Sequence, residues 1–573
     1  MNLKKKSTIF SIVFVISVSI FAVLPFFHPG FFPMHDDTQV ARVFEMGKSL
    51  KDGMFPVRWV EDLGYGYGYP IFNFYAPLAY YIGGFFVVVG LNALLATKIM
   101  FVLGIILAGI TMYLFAKEFW GELGGIISAV VYEYALYHAV DIYVRGDVGE
   151  FWAFAFIPLT FWGIFKIFQV IQNEKLPLKI KSFWRWTVVG SLGYAGVILS
   201  HNLTAMMITP FLLACIIVLF VGSKKEKRFT VLHQMLHIIF FGILLSAFYW
   251  LPAILESKYT NVLGQIGGGA DFHTHFICLS QLWSSPWGYG GSTGGCVDGI
   301  SFMVGKISLL LAATGLITLL RRKQTRWGGI LFGTGIIISI FLCMQLSVYV
   351  WDLLRPMAFF QYPWRFLLMV SFFLALLCGA ITVAFKKVNQ KYLIIVTAII
   401  IMSVIIFQGR YFIPQKINPV TSDYYTNQKM LTFTTSKISD EYLPKDFLKP
   451  QNFSQVPKSP FSLIDGAGVI TDIKNNTTQK SAQVAFVTSG KLYIANAPFP
   501  AWHVFLDAKE IPYATLKNGF LIGIPKGNYL VTVVFRPTRI ELISGILSLA
   551  GLLILILGII YLYRPYAYSK TDR

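Results

Sequence analysis

Runs of apolar residues long enough to cross a bilayer recur along almost the whole chain. A helix rises 1.5 Å per residue, so about 17 to 25 apolar residues span the hydrocarbon core. Only 13% of the 573 residues are charged, against roughly 25% in an average soluble domain. Backbone groups in lipid must satisfy their own hydrogen bonds, so these runs are helices. The sequence excludes a soluble enzyme and predicts an all-α polytopic membrane protein.

Short loops rich in Lys and Arg separate some of these runs and predict which side of the membrane each loop occupies. The basic loops are 172–186, 222–234, 321–327 and 386–391, together with the N-terminal lysines. Such loops face the cytoplasm. The net charge of +20 therefore indicates topology, and no nucleic-acid partner is expected. We predict twelve crossings, at 7–27, 98–116, 122–140, 150–170, 187–200, 203–221, 235–252, 303–320, 328–346, 366–385, 392–407 and 539–563.

One further apolar run, 71–91, agrees with the predicted topology only if it does not cross the membrane. A crossing there would put basic loops on opposite faces, whereas leaving it out keeps them all inside. Its Asn73, Pro77 and tyrosines suit an interfacial or re-entrant helix. We therefore expect a protein of the cytoplasmic membrane with both termini in the cytoplasm. A long external loop is expected over 28–97.

A helix lying on the membrane surface is predicted within this loop, from Thr38 to Leu50. Its apolar and charged residues fall on different faces: Val40, Val43, Phe44 and Leu50 against Arg42, Glu45 and Lys48. A second external loop, 256–302, is rich in glycine and aromatic residues and is interpreted as a mobile flap. It contains Cys278 and Cys296, for which a disulfide is plausible.

The composition changes at 408–538, where Asn, Thr, Ser and Pro become common. Alternating segments such as 482–487 and 529–535, separated by Gly-containing turns, predict a small β-rich domain. Eleven predicted crossings precede it, so it is expected outside the cell. The predicted organisation is a transmembrane domain over 1–407, the extracytoplasmic domain over 408–538, and a last transmembrane helix with a cytoplasmic tail over 539–573.

An acidic pair follows the first crossing, in the motif His35-Asp36-Asp37. One interpretation is that Asp36 or Asp37 caps the following helix, where a negative charge is favourable. The other is that a carboxylate not used for capping acts as a general base or metal ligand at the membrane surface.

A second charged motif, Arg145, Asp147 and Glu150, follows the third crossing. It forms either a structural ion pair that seals a turn or part of a functional site, because acids at a membrane entrance are uncommon without a task. The predicted topology places it on the same face as Asp36 and Asp37, so both acidic loops can meet in one cleft.

Further candidates lie at the predicted outer face. His201, in the turn between two crossings, is either structural or part of the site. Arg355, Tyr362 and Arg365, before the tenth crossing, are either interfacial anchors or a clamp for a lipid phosphate through forked hydrogen bonds.

This layout resembles the GT-C superfamily of integral membrane glycosyltransferases, which use lipid-phosphate-linked sugars. More closely, Met34 to Asp37, Tyr143 to Glu150 and Gln361 to Leu367 resemble a bacterial membrane family named "6-pyruvoyl-tetrahydropterin synthase-related". The segment from Phe499 to Pro537 resembles the external domain of YfhO-type proteins. The resemblance covers most of the chain, although each motif is short.

The resemblance implies an inverting glycosyltransferase, embedded in the lipid bilayer, that moves a sugar from a polyprenyl-phosphate donor to a glycan, lipid or protein acceptor at the outer face of the cytoplasmic membrane. Asp36 or Asp37 would then be the base. Asp147 and Glu150 would orient the acceptor or hold a divalent metal ion, Mg²⁺ or Mn²⁺. Asp36 and Asp147 are the expected metal ligands. His35, Arg145, His201, Arg355, Tyr362 and Arg365 would bind substrate. The alternatives are a transporter or flippase of lipid-linked saccharides and a non-catalytic envelope assembly protein.

Overall fold

The computed structural model describes residues 3–174, 180–265, 270–385 and 389–563. Several features of the sequence prediction lie outside these residues: Lys175, Lys179, Gly267 to Gly269, Lys386, Lys387 and the tail after residue 563.

Apolar helices make up most of the chain as far as Gln408 and return after the last strand. Among the described residues, eight helices are long and apolar enough to cross a membrane, so the chain is a multi-pass membrane protein; the total of twelve crossings stays a prediction. The principal helices are Leu3–Ala22, Gln39–Lys51, Leu78–Val88, Ala93–Glu133, Val148–Asn173, Ile180–Ser200, Asn202–Gly222, Arg228–Leu245, Ala247–Leu255, Lys306–Leu320, Arg326–Cys343, Leu367–Gly379, Gln390–Gln408 and Arg539–Tyr563.

The long helical segment Ala93–Glu133 turns back on itself at Gly121, which has a φ of 74°. The carboxylate of Glu133 lies against Gly109, although a straight helix would separate these two residues by about 36 Å. Glycine tolerates a positive φ that other residues rarely adopt. The segment is therefore two antiparallel helices, at the positions predicted for the crossings 98–116 and 122–140.

The ambiguous run 71–91 does not form one long helix. Its main helix, Leu78–Val88, has 11 residues and is about 16 Å long, too short to cross a bilayer alone. Its Gly83 and Gly84 lie against Val43 and Met46 of the helix Gln39–Lys51. This agrees with the expectation of an interfacial or re-entrant element.

The predicted surface helix exists as Gln39–Lys51, but its charged face is not open to water. Arg42 and Glu45, expected on an open face, are buried. The Arg42 guanidinium donates to the hydroxyl of Tyr80 at 3.2 Å and to that of Ser439 at 2.8 Å. A segment almost 400 residues later thus covers the helix, which local amphipathicity could not reveal.

Two antiparallel sheets form the C-terminal β-rich region. Alternate residues of the central strands are buried, as in a sandwich. The region begins later than predicted, because 408–460 contributes no strand to either sheet. The strands are β1 Phe461–Asp465, β2 Gly468–Asn475, β3 Gln479–Phe486, β4 Gly490–Ala495, β5 Trp502–Leu506, β6 Lys509–Glu510, β7 Ala514–Leu516, β8 Gly519–Ile524 and β9 Gly527–Phe535. The strand order is β1-β4-β8-β7 in one sheet and β2-β3-β9-β5-β6 in the other.

The β-rich region packs on the first loop of the helical part. The Trp59 ring lies edge-on to that of Trp502, with centroids 5.3 Å apart. The amide of Ala497 donates to the carbonyl of Tyr67 at 2.9 Å, and Asp52 accepts from the amide of Thr477 at 2.8 Å. Hydrophobic and polar contacts therefore hold the two parts together.

Candidate functional site

Backbone hydrogen bonds join the two acidic motifs that lie far apart in sequence. The amide of His35 donates to the carbonyl of Val144 at 3.0 Å, and that of Asp36 to the carbonyl of Arg145 at 2.9 Å. The Gln39 side chain adds a bond to the carbonyl of Gly146 at 2.7 Å. The two loops therefore meet, as the predicted topology allowed.

Arg145 is the centre of a buried ionic cluster. Its guanidinium lies 2.5 Å from Asp141, 2.6 Å from Asp147 and 2.6 Å from Glu150. It also donates to the hydroxyl of Tyr137 at 3.0 Å. The ion pairs of the structural interpretation are therefore present, and the arginine has little free hydrogen-bonding capacity for a ligand.

A second arginine, Arg365, stands beside the cluster. Its Nε forms an ion pair with Oε1 of Glu150 at 3.2 Å without the alignment of a hydrogen bond, and the side chain is buried. Its Nη1 group has no hydrogen-bond partner among the described residues. Unsatisfied buried donors cost about 1–3 kcal/mol each. An anionic ligand would satisfy the arginine.

Neither acid of the pair caps the following helix. Its N-cap residue is Thr38, without a side-chain cap. Burial and the charge of Asp147 raise the pKa of Asp36 to about 6, against the opposing effects of Arg42, Arg145 and Arg365. The Asp36 carboxylate is reached by solvent although protein surrounds it. A carboxylate with a pKa near 6 is suited to accept a proton at neutral pH.

Asp37 has a different neighbourhood. Burial raises its pKa to about 6 without a significant charged neighbour, and its own charge acts on Tyr425. Asp36, by contrast, feels the charges of Arg145, Asp147 and Arg365. Asp36 is therefore the member of the pair directed to the ionic cluster.

His201 joins the cluster from the turn between the helices Ile180–Ser200 and Asn202–Gly222. Its Nδ1 lies 2.8 Å from the Thr204 hydroxyl, and burial lowers its pKa, so the ring is neutral at pH 7. One ligand atom from each of Asp147, Glu150 and His201 lies within 4.8 Å of the others.

This set of donors fits a divalent cation, although Arg145 already bonds both carboxylates. Two oxygen donors and an imidazole suit a transition-metal ion better than Mg²⁺. Burial opposes ionisation of Asp147, but the Arg145 guanidinium outweighs it and holds the pKa of Asp147 well below its usual range. The expected pair of ligands, Asp36 and Asp147, stays a prediction.

The remaining predicted residues divide into two groups. Tyr362 is half-buried, with the Arg365 guanidinium 5.4 Å from its ring centroid, and Nε2 of His35 lies 3.0 Å from the carbonyl of Tyr289. Both border the cluster. Arg355 is exposed, and no contact within the described residues brings it to the cluster.

The loop 256–302, which is predicted to be external, borders the acidic motif through Tyr289. A disulfide joins Cys278 and Cys296 within this loop, and Trp364 donates to the Ser292 hydroxyl at 2.9 Å. The plausible disulfide is thus present, and the loop lies beside the motif as expected of a flap. Its mobility stays a prediction.

Sequence reasoning missed several members of the cluster. Asp141 was detectable, because it precedes Arg145 by four residues, the spacing of ion pairs on a helix. Tyr137, which donates to Glu150 at 2.5 Å, and Trp364, whose ring centroid lies 4.7 Å from the Arg145 guanidinium carbon, carried no local signal. Only the fold brings them to the charged loop.

The fold and this site define a multi-pass membrane protein that combines a buried ionic cluster with a β-rich region. No protein-family model matches the sequence. An uncharacterized protein of Lactococcus lactis subsp. cremoris is 27% identical over 278 residues, which are 46% of this chain and 42% of that protein.

Solved structures with some likeness are described as an oligosaccharyltransferase and an arabinofuranosyltransferase. The archaeal oligosaccharyltransferase AglB from Archaeoglobus fulgidus, in complex with an inhibitory peptide and a dolichol-phosphate, has a TM-score of 0.47 at 13% identity, over 81% of this chain and 62% of that one. Arabinofuranosyltransferase AftD from Mycobacteria has a TM-score of 0.46 at 12% identity, over 74% and 28%. The chain spans less than two thirds of the length of each of these relatives.

Proposed function

We propose that this protein is an inverting membrane glycosyltransferase that uses a polyprenyl-phosphate-linked sugar at the outer face of the cytoplasmic membrane. The observation that carries the proposal is that a backbone hydrogen bond brings Asp36, whose carboxylate accepts no hydrogen bond from the described residues, to the loop of Arg145. Arg365 joins the same cluster through its ion pair with Glu150, and its buried Nη1 donor has no partner in the described part of the chain. A base and an anion-binding group in one site are what transfer from a lipid phosphate requires. The acceptor is a glycan, lipid or protein.

Asp36 acts as the general base. As the acceptor hydroxyl oxygen attacks the anomeric carbon, its proton passes to the Asp36 carboxylate. The bond between the anomeric carbon and the phosphate oxygen breaks, and the lipid phosphate leaves with the electron pair. A single attack from the opposite side inverts the anomeric centre, so no second carboxylate nucleophile is needed.

Arg365 stabilises the departing phosphate, whose negative charge grows as the bond breaks. Arg145 positions Asp147 and Glu150, which in turn orient the acceptor. A divalent cation such as Mn²⁺ would be held by Asp147, Glu150 and His201, and when bound it would act as a Lewis acid for the leaving group.

The proposal is tested by replacing both acids, Asp36→Asn and Asp37→Asn, in cells that depend on the protein. We expect the envelope glycan made by the wild-type strain to be lost while the variant protein remains at wild-type level in the membrane. Retention of the glycan at equal protein level would refute the proposal that the protein is a glycosyltransferase.

The pH dependence of transfer is expected to follow Asp36. Its pKa is raised to about 6, so the active carboxylate predominates above pH 6 and is protonated below it. We expect kcat/KM to be level above that pH and to fall about tenfold per unit below it. A profile of kcat/KM that stays flat from pH 7 to about pH 4.5, near the ordinary carboxyl range, would show that Asp36 is not the general base.

Removal of the second arginine, Arg365→Gln, is expected to raise the KM for the lipid-phosphate donor by about tenfold or more, because a charge-assisted hydrogen bond is lost. Arg365→Lys keeps the charge without the fork and should give an intermediate KM. The matched control is Arg355→Gln, an exposed arginine before the same helix. Equal KM values for the two glutamine variants would contradict the role of Arg365.

A further inference from the structure

A separate cavity of about 340 Å³ lies where the helix Lys306–Leu320 begins and the helix Gln390–Gln408 ends. Its walls include Leu136, Trp287, Lys306, Arg410 and Tyr411. None of the residues proposed above for transfer lines it. It adjoins their site, however, since Leu136 precedes Tyr137, which bonds Glu150 and Arg145.

The cavity carries uncompensated positive charge. Lys306 and Arg410 are both exposed, and neither forms an ion pair among the described residues. No Asp or Glu is among the lining residues. Lys306 is the first residue of its helix, the end where the helix dipole is itself positive and a cation is unfavourable. This arrangement favours an anion as occupant.

Aromatic residues mark the cavity as interfacial. The rings of Trp287 and Tyr411 lie 5.1 Å apart, and Trp and Tyr are concentrated where a membrane meets water. The indole N–H of Trp287 is buried without a hydrogen-bond acceptor in the described part of the chain. A ligand oxygen would supply the missing acceptor.

Lipid chains have access to the cavity from the side. Leu310 on one bordering helix and Phe407 on the other are exposed, as expected of residues that face the bilayer. An alkyl chain can therefore lie along these helices while its headgroup enters the cavity.

We propose that this cavity binds the phosphate headgroup of an anionic membrane lipid through Lys306, Arg410 and the indole N–H of Trp287. The site is distinct from Arg365 and does not depend on the transfer reaction. Tyr289 connects it to the acidic motif, because its ring centroid lies 6.3 Å from that of the cavity residue Trp287 and its carbonyl contacts His35. A lipid held here lies beside the proposed active site.

The test is lipid binding to the purified full-length protein, measured by native mass spectrometry with phosphatidylglycerol and with phosphatidylcholine. The wild type should prefer phosphatidylglycerol, and the double variant Lys306→Gln, Arg410→Gln should bind it about tenfold more weakly, because two charge-assisted contacts are lost. The matched control is Lys258→Gln, Lys458→Gln, which removes two exposed cations outside the cavity.

Equal affinity for phosphatidylglycerol in the two double variants would overturn the proposal. So would a wild type that does not prefer phosphatidylglycerol over phosphatidylcholine.

Trp287→Phe keeps the aromatic ring but removes the indole N–H donor, and should weaken lipid binding without affecting the fold. Competition by free glycerol 3-phosphate shows whether the headgroup alone is recognised; the proposal requires that it compete, and failure at saturating concentration would refute recognition of the phosphate. Asp36→Asn should bind the lipid as the wild type does, so loss of transfer and loss of lipid binding are separable.

Discussion

Arg145→Met is expected to destabilise the protein by about 3–5 kcal/mol, because it leaves Asp141, Asp147 and Glu150 buried without their common cation. Uncompensated buried carboxylates are expensive in any region that water does not reach. The effect should appear as a large fall in Tm of the detergent-purified protein, or as loss of monodisperse protein in size-exclusion chromatography.

Arg355→Met is the matched control for this prediction, since Arg355 is exposed and a surface substitution usually changes stability by less than about 0.5 kcal/mol. Arg145→Lys should give an intermediate Tm, because an ammonium group cannot serve three carboxylates and a hydroxyl with the same geometry. If Arg145→Met had the Tm of the control, the cluster would not support the fold.

Asp36→Asn is expected to lower kcat/KM for transfer by about 10²–10⁴-fold, the usual contribution of a general base. Asn keeps the size of the side chain but does not accept a proton. Asp37→Asn should have a much smaller effect, because Asp37 influences Tyr425 and not the ionic cluster. The measurement is transfer from a labelled lipid-linked sugar by protein reconstituted in vesicles.

The comparison between these two variants is internally matched, since the residues are adjacent and the substitutions are identical. Tm values close to that of the wild type would show that both variants fold. The assignment of Asp36 as the base would be wrong if Asp37→Asn lost more activity than Asp36→Asn.

The helical architecture was largely predictable because the length of an apolar run is a direct physical requirement of the bilayer. The break between the runs 98–116 and 122–140 corresponds to the reversal at Gly121. The helix Gln39–Lys51 was predicted close to its ends, but its environment was not. Burial of Arg42 depends on Ser439, and no local pattern reports so distant a contact.

The β-rich region was predicted with less accuracy than the helices. The alternation at 482–487 and 529–535 located β3 and β9 because these strands have one buried face. The stretch 408–460 shares the polar composition of the strands but makes no sheet. Composition alone does not distinguish a strand from a loop that packs against helices.

The site was predictable to the extent that topology places loops on one face. The meeting of Asp36 with Arg145 was therefore expected. The saturation of Arg145 by three carboxylates was not expected, nor was a buried Nη1 of Arg365 without a hydrogen-bond partner among the described residues. The partners of an arginine depend on side-chain positions that the sequence order does not specify.

The most direct test of transfer at an outer-face site is the location of the lipid-linked sugar donor in cells that carry Asp36→Asn. We expect the donor to accumulate in the outer leaflet, where a membrane-impermeant periodate reagent oxidises it in intact cells. Accumulation in the inner leaflet, with oxidation only after lysis, would contradict transfer at the outer face and indicate a transporter of lipid-linked saccharides.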